Sequence, residues 1–176
     1  GGAPADEQIT AGPIISDDPV ANWEGETHLA VAPDGRVFAV WIASDIGNHA
    51  FIGYARSTDG GSTWADAALV PADPSARAVD PAVAVDAGGV FHVTWLELLS
   101  GGARRVMTAA YMDDGDVFTI PEEVSDPNAP ADWDKPWILA LDGGALLIVW
   151  GTENGSSLYV ARRQAGASWQ RTHISP

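Results

Sequence analysis

The chain has 176 residues, 46% hydrophobic and 19% charged, with 19 glycines, 12 prolines and no cysteine. At about 100–200 residues per domain this is one domain with enough apolar content for a core, and the lack of cysteine excludes disulfides and thiolate metal sites. Nine basic against 24 acidic residues give a net charge of −15, which excludes nucleic-acid partners that need phosphate-tracking cations and argues against anionic membrane surfaces.

Gly1 to Thr10 has neither the basic start nor the apolar run of a signal peptide, and no later stretch approaches the roughly 18 apolar residues of a membrane-spanning helix. Residues 8–16 read as an outer strand, because Ile9 to Asp17 resembles Phe118 to Asp126 further along. A Pro-containing loop then ends in Asn22-Trp23-Glu24, as a later one ends in Asp132-Trp133-Asp134.

From here the chain repeats. Leu29 to Trp41, Ala82 to Trp95 and Trp137 to Trp150 each read as strand, tight turn, strand. The pairs Asp34-Gly35, Gly88-Gly89 and Asp142-Gly143 supply the positive φ that short hairpin turns need. The closing tryptophans are 54 and 55 residues apart. Each hairpin is followed by a polar loop, a third strand (Phe51 to Arg56, Val106 to Tyr111, Leu158 to Arg162), a turn and a fourth strand. The expectation is an all-β chain of three four-stranded antiparallel units, over residues 26–70, 80–125 and 134–175, arranged radially as β-propeller blades.

The third turn of the first unit is Ser57-Thr-Asp-Gly-Gly-Ser-Thr-Trp64. Ser57, Asp59, Gly61, Thr63 and Trp64 match the Asp-box (BNR repeat) of sialidase-like β-propellers, and Tyr111 to Phe118 and Arg162 to Trp169 are degenerate copies at the same place. On these residues the chain resembles that family. The resemblance implies a six-bladed ring, structural Asp-boxes on the face away from the active site, and an extracellular or periplasmic location. Three blades are half such a ring. Six is the multiple of three within the usual four to eight blades, so the expected partner is a second copy in a two-fold homodimer, the alternative being a piece of a longer propeller.

Alternating strand direction puts the inner-strand entries and the second-to-third loops on one face. The entries offer Trp23, Glu24, Glu26, His28, Arg77, Asp80, Trp133, Asp134 and Lys135, and the loops offer Asp45, His49, Glu97, Arg104, Arg105, Glu153 and Asn154. Glu26, His28 and Asp80 are the expected catalytic groups, because carboxylates beside imidazole activate water or, as His28 and Asp80 would, ligate a divalent cation such as Ca or Zn. The plain alternative is a solvated rim. Arg77, Asp134 and Lys135 are expected binding residues, with Trp23 and Trp133 as sugar-stacking or loop-packing aromatics. His92 reads as an interior histidine, His49 and His173 as surface ones.

The family's sialidases use three arginines, a tyrosine nucleophile with a glutamate, and an aspartate acid/base near an Arg-Ile-Pro strand. No Arg-Ile-Pro occurs here, Tyr54 and Tyr159 lie within third strands, and Tyr111 lies in a degenerate box, so that constellation is not carried over. The expected function is a hydrolase at the channel mouth, acting on a glycosidic, ester or phosphoester bond with or without a metal. The alternative is a non-catalytic module that binds glycan or protein.

Overall fold

A computed structural model of the chain describes residues 23–45, 47, 49–128 and 132–174. The outer strand expected over residues 8–16 lies outside them, as do the side chains of Trp23 and Glu24. The first blade comprises β1 (Trp23–Val31), β2 (Val37–Ser44), β3 (Ala50–Ser57) and β4 (Ala68–Leu69). The second comprises β5 (Arg77–Val85), β6 (Phe91–Leu98), β7 (Arg104–Met112), β8 (Val117–Phe118) and β9 (Glu122–Glu123), and the third β10 (Trp133–Leu141), β11 (Ala145–Thr152), β12 (Leu158–Arg163) and β13 (Gln170–His173). Strands pair antiparallel in chain order within each sheet, and β9 joins β8 on the outer edge of β7.

Two details differ from the sequence expectation. The outer strand expected from Phe118 to Asp126 is split into β8 and β9, since Pro121 between them has no N–H to give the ladder. The third hairpin turn is a 3-10 turn over Asp142–Gly144 rather than a two-residue turn, with Gly143 and Gly144 at φ of 75° and 74°.

Each inner strand contains one extra residue. Gly25 and His28 face Ile42 and Val40, Val79 and Ala82 face Leu96 and Thr94, and Asp134 and Trp137 face Gly151 and Val149. Two residues thus oppose one in every blade: Glu26-Thr27 opposite Trp41, Asp80-Pro81 opposite Trp95, and Lys135-Pro136 opposite Trp150. The first residue of each bulge is left-handed, with φ of 51° at Glu26, 51° at Asp80 and 44° at Lys135. Side-chain-bearing residues avoid this region at a cost of about 1–3 kcal/mol each.

The tryptophans opposite the bulges hold the blades together. Trp95 is fully buried with Phe38, Val40, Ile52 and Tyr54 of the first blade, and Trp150 with Leu96 and Val106 of the second. Trp41 occupies the same side of its own blade, the one away from the second blade, among Ala39, Ala43 and Ala55. The open face of the third blade carries Trp137, Val149 and Val160 in one cross-strand row and Leu139 and Leu147 in the next, with Trp137 53% and Leu139 47% exposed. Polar clamps close the junctions: Arg36 reaches the Gly89 carbonyl at 3.0 Å and the Asp113 carboxylate, and Arg163 reaches Glu122 at 2.6 Å.

The Asp-box works as a turn clamp. Asp59 accepts from the Thr63 backbone N–H at 2.8 Å, the Thr63 hydroxyl at 2.7 Å and the Ser57 hydroxyl at 2.7 Å. Those donors hold its carboxyl down at about 2. Trp64 packs on the Trp41 side of the blade.

Gly53 faces Trp41 across β2 and β3, and a Cβ there would come within 2.6 Å of the indole ring. Gly53→Ala must displace the ring, so it is expected to destabilise the chain by about 1–3 kcal/mol. Urea unfolding checks this; an unchanged midpoint would refute the close packing.

Candidate functional site

The three bulges converge on the channel. An extra residue leaves its side chain out of the ladder and re-aims it, which is why bulges recur beside active sites. Here they bring Glu26, Asp80 and Lys135 to the wall of one cleft of about 330 Å³, completed by Thr27, His28, Pro81, Pro136 and Trp137. A second cleft of about 390 Å³ runs between the first two blades, where Arg77, Ser44 and Val79 line it together with the same Glu26 and Asp80.

The Glu26 and Asp80 carboxyls line the same two clefts, and the presence of one beside the other favours a proton on Asp80. Burial first, then the Glu26 hydrogen bond and the negative charges of Glu26 and Asp134, push Asp80 up to about 7, while Lys135 pulls the other way. The result is a carboxylic acid and a carboxylate side by side near neutral pH, the arrangement that lets one group donate a proton while its neighbour accepts one.

Of the expected catalytic residues, Glu26, His28 and Asp80 all reach this cleft. The His28 ring packs edge-on against Trp137, with centroids 4.5 Å apart. Among the described residues no group of three or more His, Asp or Glu side chains is arranged to hold a metal ion, so His28 and Asp80 gain no third side-chain ligand for the expected Ca or Zn. Arg77 and Lys135 line the clefts as expected, and Asp134 acts on Asp80 through its charge.

Trp133 takes the packing alternative and not the sugar-stacking one. It is 2% exposed and packs edge-on against Trp150 and Tyr159, so it offers no stacking surface at the channel mouth. The aromatic that does is Trp137, which sequence reasoning passed over. Its signal was present: Glu26-Thr-His28, Asp80-Pro-Ala82 and Lys135-Pro-Trp137 recur at spacings of 54 and 55 residues.

The loop residues on this face serve the scaffold. Asp45 pairs with His49 at 2.9 Å, Arg105 with Glu97 at 2.7 Å, and Arg104 with Glu153 at 2.7 Å. His92 is a satisfied interior histidine, as expected, with Nε2 3.0 Å from the Asp86 carboxylate.

No protein-family model matches the sequence, and no curated protein matches it. Solved structures do. The NanB sialidase of Streptococcus pneumoniae aligns over 96% of this chain and 46% of its own, at TM-score 0.64 and 11% identity. A leech intramolecular trans-sialidase aligns over 88% of this chain and 44% of its own, at TM-score 0.65 and 12% identity. A protein of unknown function from Dyadobacter fermentans aligns over 88% and 40%, at TM-score 0.61 and 21% identity. The chain therefore has the sialidase-like β-propeller fold, and it spans less than half the length of each of these three structures.

The raised Asp80 carboxyl fixes the sign of a stability effect. A folded pKa of about 7 against an ordinary 3.8 means the folded chain holds a proton that the unfolded chain releases. The associated stabilisation is full below about pH 4 and is lost as pH rises through 7. Asp80→Asn, which stays uncharged and tolerates a left-handed backbone, is expected to raise the melting temperature over wild type by a margin that grows between pH 5 and 8. A margin independent of pH would refute the shared proton.

Proposed function

We propose that the chain is a hydrolase whose acid–base pair is Glu26 and Asp80. The observation that carries this reading is the two carboxyls lining one cleft, with Asp80 pushed up to about 7. The ionised carboxyl takes a proton from a water as it attacks the substrate, and the protonated one gives its proton to the departing oxygen. Two groups that exchange these states regenerate the pair after each turnover. Three carboxyl groups, one of them protonated, beside one lysine favour a neutral substrate over a phosphoester, and the exposed indole of Trp137 suits a sugar ring, so the preferred substrate is a glycoside or a sugar ester. Sialidase structures among the matches are consistent with glycoside chemistry on this fold. The second reading, a glycan-binding module, is favoured by Trp137 alone.

Hydrolysis of nitrophenyl glycosides and nitrophenyl acetate tests both. Asp80→Asn and Glu26→Gln are each expected to lower kcat/KM at least 100-fold, with a pH profile that breaks near 7 and turnover that survives EDTA, since the pair supplies both proton roles. Turnover lost on chelation would assign the step to a divalent cation instead. Absent turnover together with saturable glycan binding that disappears in Trp137→Ala would establish the binding module.

We further propose that a second copy completes the ring around this site. Even-numbered residues of the first two blades face the following blade, and the same repeat positions of the third blade, beyond Trp137 at the cleft, are Leu139, Leu147 and Val149 on its open face. The first blade offers Leu29 and Val31, 60% and 54% exposed, on the side that in the other blades meets a preceding one. A two-fold pair would join the two surfaces twice. Light scattering on the purified chain is expected to give twice its 18.4 kDa, with Leu139→Asp returning it to a single chain; a monomeric wild type would overturn the pairing.

A further inference from the structure

The sequence holds four Asp–Pro peptide bonds, at 18–19, 73–74, 80–81 and 126–127, and the last three lie among the described residues. X–Pro is a tertiary amide, and its nitrogen takes a proton and departs more readily than that of an ordinary peptide bond. An aspartate just before it carries a carboxyl that can reach its own carbonyl carbon through a five-membered ring. The lability of each bond therefore depends on what holds that carboxyl and the backbone beside it.

Two of the three are clamped. Asp73 accepts from the Ser75 hydroxyl at 2.7 Å, the Ser75 backbone N–H at 2.9 Å and Arg105 at 2.8 Å, and these donors hold its carboxyl below the usual range. Asp126 accepts from the Asn128 backbone N–H at 2.9 Å. In both, the side chain is turned forward onto the residue two places on, and neither backbone is left-handed. Asp80 differs on each count. It opens the bulge of the second blade at φ 51°, although the residue before a proline is normally extended. Its carboxyl lines the two clefts with Glu26, and among the described residues no backbone N–H or hydroxyl donates to it. Burial, and then Glu26, push it up to about 7, so it carries its proton near neutral pH. Lys135–Pro136 repeats the bulge and its left-handed backbone, at φ 44°, without a carboxyl. Among the described residues the strained backbone, the proline and an unclamped carboxyl meet only at Asp80–Pro81.

We propose that the Asp80–Pro81 bond is an autoproteolytic site, cut by the Asp80 carboxyl itself. The side-chain oxygen bonds to the Asp80 carbonyl carbon, the C–N bond to Pro81 breaks, and the carboxyl proton ends on the departing Pro81 nitrogen. The acyl half is then a cyclic anhydride. Water from the cleft adds to it and opens it, so the net reaction consumes one water and leaves Asp80 as a new C-terminus and Pro81 as a new N-terminus. Attack within a single residue gives the carboxyl a high effective concentration, and the cut releases the left-handed strain of the bulge. Pairing on both sides holds the halves together, since Arg77 to Val79 face Leu98 to Leu96 and Ala82 to Val85 face Thr94 to Phe91. The nicked chain separates only when it is unfolded. This inference does not rest on the hydrolase reading, because the substrate is the chain itself and the readout is its mass.

Denaturing mass spectrometry of the purified chain, incubated across pH 5 to 8 with and without urea, tests the site. The folded chain is expected to yield residues 1–80 and 81–176, with Pro81 as the new N-terminus, at least tenfold faster than it is cut at 73–74 or 126–127. The rate is expected to fall as pH rises through about 7. Urea returns Asp80 to an ordinary carboxyl and a relaxed backbone, and at pH 6 is expected to slow the cut at least tenfold. Asp80→Asn removes the attacking carboxyl and Pro81→Ala the tertiary nitrogen, and each is expected to slow the cut by a similar factor. Should Asp80→Asn fail to fold, Pro81→Ala decides alone. No fragment beginning at Pro81, equal cutting at the two clamped bonds, an undiminished rate in urea, or an undiminished rate in the folded variants would each overturn the site.

Discussion

Two residues of every inner strand face one tryptophan of the next strand, and the rest of the molecule follows from that mismatch. An extra residue in a ladder reverses which side of the sheet the later side chains occupy. In this chain it lets Val79 and Ala82 both serve junctions while Asp80 between them is turned into the channel. The left-handed backbone at Glu26, Asp80 and Lys135 is strained three times over. It persists because Trp95 and Trp150, opposite two of the bulges, are fully buried in the blade junctions, where losing a residue of that size costs about 3–5 kcal/mol. Packing of the tryptophan therefore outweighs the strain beside it.

The same device explains why the site is acidic and poised. Carboxyls on ordinary strand positions at a sheet surface would face water and separate from one another. The bulges instead direct Glu26 and Asp80 from adjacent blades into a common cleft. Burial and mutual repulsion then keep one proton on the pair near neutral pH. Ionising both is the costly state, so the pair costs the fold stability as pH rises, as charge-crowded sites commonly do.

Much of this was legible in the sequence because the repeat is strict where packing is strict. The tryptophan spacing, the hairpin glycines and the Asp-box each report a local need: a junction to fill, a positive φ, a turn to clamp. The blades and their order follow from those alone. The bulges were harder to see. Pro81 and Pro136 mark two of them, but a proline near a strand start reads equally well as an edge or an entry, and Thr27 gives no mark at all. Trp133 was ambiguous for a related reason. It resembles Trp23 in sequence, a repeated aromatic before an inner strand, but the register aligns it with Glu24 and Ala78, one place further on, and it packs in the junction against Tyr159. Trp137 is the converse: it sits within an apolar strand and looks like core, but its bulge turns it to the open side, 53% exposed.

Comparison among the copies is more informative than any one of them. A repeat can keep its apolar anchor while losing the polar group that satisfied it. Trp95 and Trp150 hold equivalent junctions, and only the first retains a carboxylate on its indole N–H. The Asp-boxes diverge in the same manner. Asp59 clamps its own turn, whereas in the second copy Asp116 accepts from Tyr111 and from Arg56 of the neighbouring blade, converting a local clamp into a junction contact. In the third copy Trp169 remains, with Arg163 stacked 4.5 Å from its ring and an indole N–H that has no partner. Burial of the aromatic is what the fold requires at each position, and the polar partner is free to change.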